Sequence, residues 1–326
     1  MFTYRSEFTR NRQWLEIPLE ALNRFEHTGI AGVLQPLGAG SHPHDVRQRL
    51  LALAVFPAKW INRLFSVGGI RIENGIVGLR TFVPVDIEAE PIYQLAQLKS
   101  GDTAVDHVPV LYEDDWCLVF DKPTGMPVHP NAPRQRGTLD EAAARHCLQT
   151  GDALPVKHIH RLDDDTAGPV LYAKNDLAQM VLDEAMRDKR VDRQYEALVH
   201  GKPAKSRGTI NEPIGKDRHH GARRRVTPTG DHAVTHYETL AVYKSASLLR
   251  LQLETGRTHQ IRVHLSHAGY PIVGDQLYGG RVDLLRHQAL RGERLLFPHP
   301  LTGLPVMVNS VEPDWFRALR QKLSVL

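Results

Sequence analysis

The stretch from His160 to Lys174, HRLDDDTAGPVLYAK, constrains this chain more than any other. It packs two bases and three consecutive carboxylates into a short polar turn, then runs straight into an apolar strand. A loop set on a strand end is where a rigid scaffold presents reactive groups. Val156 to Ile159 alternates like a strand. Arg161 to Gly168 therefore reads as a loop between two strands, punctuated by Gly168 and Pro169.

The whole chain bounds what such a loop can belong to. Its 326 residues suffice for a substantial core and two domains. A hydrophobic share of 41% and a charged share of 24% are those of an ordinary soluble protein. No apolar run is long enough to cross a bilayer, and the N-terminus lacks a signal-peptide core, so the expected location is the cytosol. Cys117 and Cys147 form no CxxC, which argues against a disulfide framework or a Cys-rich metal site and for two small core residues. The net charge of +4 is modest, but its distribution is not. Basic residues gather at 187–193, 219–225 and 281–294. Each cluster fits a solvated face or a phosphate contact equally well, and three in one half of the chain favour nucleic acid.

In chain order, residues 1–40 read as an irregular lead-in. A helical pattern over 45–65 follows, broken at Pro57, then two short strands around an Asn74-Gly75 turn. Residues 89–108 look like a linker. Two strands around Asp114-Asp115 lead into a Lys122-Pro123-Thr124-Gly125 loop, where Lys122 reads as a loop charge. Residues 138–149 form a helix that starts near Thr138 with acids in its first turn. Asn175 or Asp176 caps another helix. A strand from Arg193 puts Tyr195, Ala197 and Val199 on one face. Residues 206–232 are a polar excursion carrying Arg223, Arg224 and Arg225, read as a protruding hairpin or a mobile loop. After Glu254, Gly256 turns the chain and Thr258 caps a helix to Ala268, with Gly269 and Pro271 as its stop. A final strand and hairpin begin at Leu295.

Four of these segments, in order, resemble the motifs of pseudouridine synthases of the large-subunit ribosomal (Rlu) type. His160 to Gly168 is similar to that family's His-Arg-Leu-Asp-x-x-Thr-Ser-Gly. Ala167 replaces the Ser, which removes a hydroxyl and leaves the acid untouched. Residues 122–125 resemble its Lys-Pro-x-Gly loop, Thr255 to Arg262 its Thr-Gly-Arg-x-His-Gln-Ile-Arg, and 295–303 its closing hairpin. The resemblance covers about residues 109 to 313. Residues 41–100, through Gly68 to Gly75, loosely resemble the family's small αL-type RNA-binding domain in a degenerate form. The basic helix is thin there (Lys59, Arg63, Arg71), and a packing module fits equally well.

The resemblance implies an α+β catalytic fold over 105–326, a bent, mixed, mostly antiparallel sheet with flanking helices and a central cleft. It implies isomerisation of uridine to pseudouridine in ribosomal or transfer RNA by a monomer, with no cofactor and no metal. The chain carries neither a P-loop nor a dinucleotide fingerprint. Asp163 takes the position of the catalytic carboxylate, by attack on the sugar's anomeric carbon or by elimination to a glycal. Arg262 would pair with it, and Tyr195 would lie against the uracil. Arg161 would fill the space the base vacates, with His160, Arg223, Arg224 and Arg225 also meeting RNA. Asp164 and Asp165 are expected to bond backbone amides. Two rivals stand beside this reading. One is an inactive RNA-binding protein on the same fold. The other is a metallohydrolase using some of the eighteen histidines, His158 and His160 among them.

Overall fold

A computed structural model describes residues 7–24, 36–98 and 104–325. The first sheet has the order β1-β2-β4-β3. Strands β1 (Thr9–Asn11) and β2 (Trp14–Pro18) form a hairpin, and helix α1 (Leu19–Arg24) follows. Residues 9–24 are thus regular, which corrects the expected irregular lead-in. Their alternation is genuine, with Leu15 and Ile17 buried, but five residues ending in Pro are too few to announce a strand. The rest of that lead-in at 1–6 and 25–35 lies outside the described residues.

Helix α2 (Pro43–Leu53) opens with a capping box, in which the His42 ring accepts from the His44 amide and Asp45 accepts from the His42 amide. Pro57 precedes α3 (Ala58–Ser66). Strands β3 (Ile70–Glu73) and β4 (Ile76–Arg80) pair around Asn74 and Gly75, both at positive φ, as a two-residue hairpin turn requires. The core of this part continues into the next. Leu15, Leu50, Ile61 and Leu79 belong to one cluster with Trp116, Leu171 and Phe297.

The expected linker holds a helix, α4 (Pro91–Gln97), whose Tyr93 and Ala96 pack on Ala144 and Cys147. Two buried positions in seven residues leave little periodicity to read.

The rest of the chain runs through β5 (Val110–Glu113), β6 (Cys117–Lys122), α5 (Leu139–Gln149), β7 (Lys157–His158), β8 (Gly168–Ala173) and α6 (Asp176–Arg187). It continues with β9 (Asp192–His200), β10 (Arg207–Asn211), β11 (Ile214–Lys216), β12 (Arg224–Val226), β13 (Val234–Val242) and β14 (Ala246–Leu253). Helix α7 (Gln260–His267), β15 (Leu290–Pro298), β16 (Pro305–Asn309) and α8 (Asp314–Val325) complete it. Thr138 caps α5 and Asn175 caps α6.

The strands form two antiparallel sheets, β10-β13-β14-β9-β15-β16 and β5-β6-β8-β7, with β11 and β12 as a separate hairpin. A parallel bridge between Ala167 and Arg291 joins the two sheets. There the Gly292 amide donates to the Ala167 carbonyl at 2.7 Å. Gly168 sits at φ +133°, and a Cβ on it would lie 2.7 Å from the Gly292 backbone. Only glycine lets the sheets meet this closely. Beneath the seam, Phe120, Val170, Tyr195, Leu249 and Leu265 share one apolar core.

Candidate active site

The acidic loop is held from below. Lys122, at the end of β6, is fully buried. Its ammonium donates to the carbonyls of Pro123 at 3.0 Å, Met126 at 2.7 Å and Asp164 at 2.7 Å. Burial pushes that ammonium down to about 8, against the pull of the Asp164, Asp163 and Asp165 carboxylates. Lys122 is therefore a buried clamp on the loop, which corrects its reading as a loop charge. The loop closes with the Thr166 amide on the Asp163 carbonyl at 3.0 Å.

His160 is buried too, and its Nε2 accepts the Leu171 amide at 3.3 Å. Burial pushes the imidazole down to about 3, so it stays a neutral acceptor. The expected contact between His160 and RNA is corrected, because the ring faces the protein. Among the described residues, no backbone amide bonds the carboxylates of Asp164 or Asp165, so that expectation is not met either.

The facing wall is the turn before α7. Gln260 organises it from inside: its Oε1 accepts from the Thr255 hydroxyl at 2.7 Å and the Arg257 amide at 3.0 Å. Its Nε2 donates to the Val234 carbonyl at 2.9 Å. The helix N-cap is His259, left-handed at φ 57° with no side-chain cap, not Thr258 as expected. Thr258 instead stands opposite Arg161, 3.5 Å from its guanidinium.

Arg262 emerges from the first turn of α7, almost wholly buried. Two of its nitrogens meet Asp275, Nε to Oδ2 at 2.7 Å and Nη2 to Oδ1 at 2.8 Å, and Nη1 meets Asp163 Oδ2 at 3.0 Å. The Tyr278 ring lies 5.0 Å from the guanidinium carbon. Burial opposes the Arg262 charge, but the Asp275 and Asp163 carboxylates outweigh it and hold the guanidinium above its ordinary value. His259 Nε2 stands 4.0 Å from Asp163 Oδ2, and its Nδ1 is 2.8 Å from the Tyr278 hydroxyl. Burial pushes this imidazole down.

Between these walls lies a cleft of about 70 Å³, with Asp163, Arg262 and His259 on its sides and Tyr195, Arg193 and Leu290 also lining it. Burial raises the Tyr195 hydroxyl above its ordinary value, with Arg193 acting the other way. A second opening of about 190 Å³ continues past Arg161 toward His129 and Asn131.

Residues 116–267 match the RNA pseudouridylate synthase family. The chain is 47% identical over 206 residues to the Bacillus subtilis RNA pseudouridine synthase YhcT, covering 63% of this chain and 68% of that one. It is 36% identical over 302 residues to ribosomal large subunit pseudouridine synthase D of Pseudomonas aeruginosa, covering 87% of this chain and 89% of that one. Among solved structures it is similar to human RNA pseudouridylate synthase domain containing 1, with a TM-score of 0.56 and 26% identity over 66% of this chain and 87% of that one.

This chain belongs to the RNA pseudouridine synthase family. It is an enzyme that isomerises uridine in RNA, on the α+β fold that its sequence implied. In the synthase, Asp163, Tyr195 and Arg262 line one cleft. Arg161 is exposed at its mouth. Arg225 is exposed on β12, Arg223 lies 5.6 Å from the Tyr278 ring, and the Arg224 amide donates to the Tyr278 hydroxyl at 2.9 Å. The basic hairpin is therefore tied to the cleft through Tyr278.

His158 pairs with Asp140 at 3.2 Å while His160 turns to Leu171, so the two imidazoles of the synthase do not converge. Among the described residues no helix is long and apolar enough to cross a membrane. Sequence reasoning passed over Asp275, Tyr278, His259 and Arg193. Asp275 and Tyr278 follow α7 within twelve residues, and a buried Arg262 demanding more than one carboxylate was the signal that could have found Asp275.

Proposed function

We infer that Asp163 is the nucleophilic carboxylate of the isomerisation, that Arg262 orients it as an ion pair, and that Tyr195 supports the flipped uracil. The observation that carries this is the 3.0 Å contact between Asp163 and Arg262 inside a cleft that Tyr195 also lines. Arg262 is gripped from behind by Asp275, so its remaining nitrogen offers Asp163 a fixed partner. In either mechanism the C1′–N1 bond breaks, the base turns, and C5 takes the place of N1 while its proton leaves. No group is imported.

The substrate is large-subunit ribosomal RNA. This reading rests on the similarity to ribosomal large subunit pseudouridine synthase D over nearly that protein's full length. Arg161, Arg225 and the neighbouring hairpin supply cations at the cleft mouth, suited to phosphates on either side of an extruded nucleotide.

The test uses RNA from cells lacking the gene, treated with carbodiimide and read by primer extension. Wild type restores one or a few stops in large-subunit RNA. Asp163→Asn restores none, while binding that RNA within about twofold of wild type. A mutant that restores the stops refutes the nucleophile, and stops confined to transfer RNA refute the substrate.

A further inference from the structure

The cleft holds a cation that the ion-pair network leaves unused. Arg193 is two residues before Tyr195 on β9, and both line the cleft. Arg262 is matched to two carboxylates, and Arg257 has Asp231 at 3.8 Å. Arg193 has no carboxylate partner among the described residues. Its charge lies near enough to the Tyr195 hydroxyl to act against the rise that burial imposes there, and its Nε is shielded from solvent without a bonding partner.

Room has been made for it. A Cβ on Gly256 would lie 3.1 Å from Arg193 Nη1 and 3.3 Å from Nη2, tighter than ordinary contact. The glycine of the α7 turn thus leaves the guanidinium space that a side chain would take. A partly buried, unpaired guanidinium is costly to keep unless an anion arrives to meet it.

We propose that Arg193 is a catalytic residue that receives the negative charge of the departing uracil. This rests on the reading of the cleft as the uridine pocket. When C1′–N1 breaks, both bonding electrons go to the base, and the charge spreads from N1 onto the carbonyl oxygens. An Arg193 N–H donates a hydrogen bond to one of those oxygens, and no proton is transferred. When C5 bonds to C1′ the anion's electron pair goes into the new bond and the base is neutral again; loss of the C5 proton and uptake of one at N1 then restore the conjugated ring. A neutral uridine gains little from this donor and the broken-bond state gains much, so the interaction acts on the rate. The depth of Arg193 beside Tyr195 separates it from Arg161 at the exposed mouth, where a phosphate would lie.

The experiment compares Arg193→Gln, Arg193→Lys and wild type in single turnover, on RNA with either uridine or 5-fluorouridine at the target. Loss of the parent nucleoside after digestion is the readout. Fluorine stabilises the departing anion, so that base needs less help. Arg193→Gln is expected to slow the uridine substrate about 100-fold, with RNA affinity unchanged, and to show a defect at least about tenfold smaller on 5-fluorouridine. Arg193→Lys, which keeps a charged donor, falls between, and it carries the comparison if the Gln variant does not fold. Weaker RNA binding with an unchanged rate at saturation makes Arg193 a phosphate anchor and overturns the proposal. Equal defects on both bases make it only a support for Tyr195, and overturn it as well. An active Asp163→Asn in the same assay overturns the reading of the cleft itself.

Discussion

Asp275→Asn isolates the contact on which the geometry of the ion pair depends. Asp275 is 1% exposed at its side chain and takes two nitrogens of Arg262 at 2.7 and 2.8 Å. Asparagine keeps the shape and one acceptor oxygen, but it turns an NH₂ toward a guanidinium N–H. One charge-assisted bond is lost, worth about 1.5–3 kcal/mol. The buried guanidinium also loses one of its two counter-charges, where breaking a buried pair costs about 3–5 kcal/mol. With Asp163 still in place, a loss of about 3 kcal/mol in unfolding free energy is expected, at the lower end of that range.

The kinetic effect follows from geometry. Released from Asp275, Arg262 can swing toward Asp163 and take the carboxylate with it, and misplacement by about 1 Å costs about 100-fold in rate. RNA affinity should not move, because Asp275 does not reach the surface. The assay is single-turnover release of tritium from C5 of the target uridine, run beside denaturant unfolding and RNA binding. A rate within about threefold of wild type together with the full stability loss would refute the reasoning. Asp275 would then serve the fold alone, and another group would orient Asp163.

Two further outcomes are expected. His160, held at about 3 against an unfolded value of 6.5, binds fewer protons folded than unfolded between those limits. Its contribution is intact above pH 6.5 and is lost as pH falls toward 3, amounting to about 3 kcal/mol by pH 4. His160→Gln, which keeps an acceptor for the Leu171 amide, should flatten that acid limb in unfolding titrations, and parallel curves would disprove the assignment. Gly168→Ala should cost at least about 3 kcal/mol, since it adds backbone collision to a positive φ. Gly269→Ala, at φ +86° with open space around it, should cost about 1 kcal/mol, and equal unfolding costs for the two would sink the account of the seam.

The parts that the sequence made legible are those where local chemistry and packing agree. The turn at Asn74-Gly75 and the Thr138 cap follow from spacing and side-chain type, and the structure holds both. Asp163, Tyr195 and Arg262, which the ordered motifs single out, line one cleft. What stayed hidden depends on partners distant in sequence. Lys122 and Asp164 are joined by a carbonyl bond across 42 residues, and no local pattern marks a lysine as buried. The missing Thr258 cap has a similar cause. Gln260 reaches Val234 and Thr235 across the fold and fixes a left-handed His259, so tertiary bonds displaced the local cap. The strands at Thr9–Asn11 and Trp14–Pro18 were too short to announce themselves, and their register is set by β4.

The seam between the two sheets has a consequence for the substrate. In the β9–β15 ladder Tyr195 stands opposite Gly292, the same glycine that Gly168 touches at the end of the Asp163 loop. The gap between carboxylate and aromatic ring is thus spanned by two backbone contacts and no hinge. Such a caliper has one setting. If this gap takes the uridine as proposed, a base must leave its stack to enter it, at a few kcal/mol for each base turned out. Uridines already loosened by a bulge, a loop or a neighbouring mismatch meet the gauge with least strain, and the pliancy of the RNA becomes part of the address that the enzyme reads.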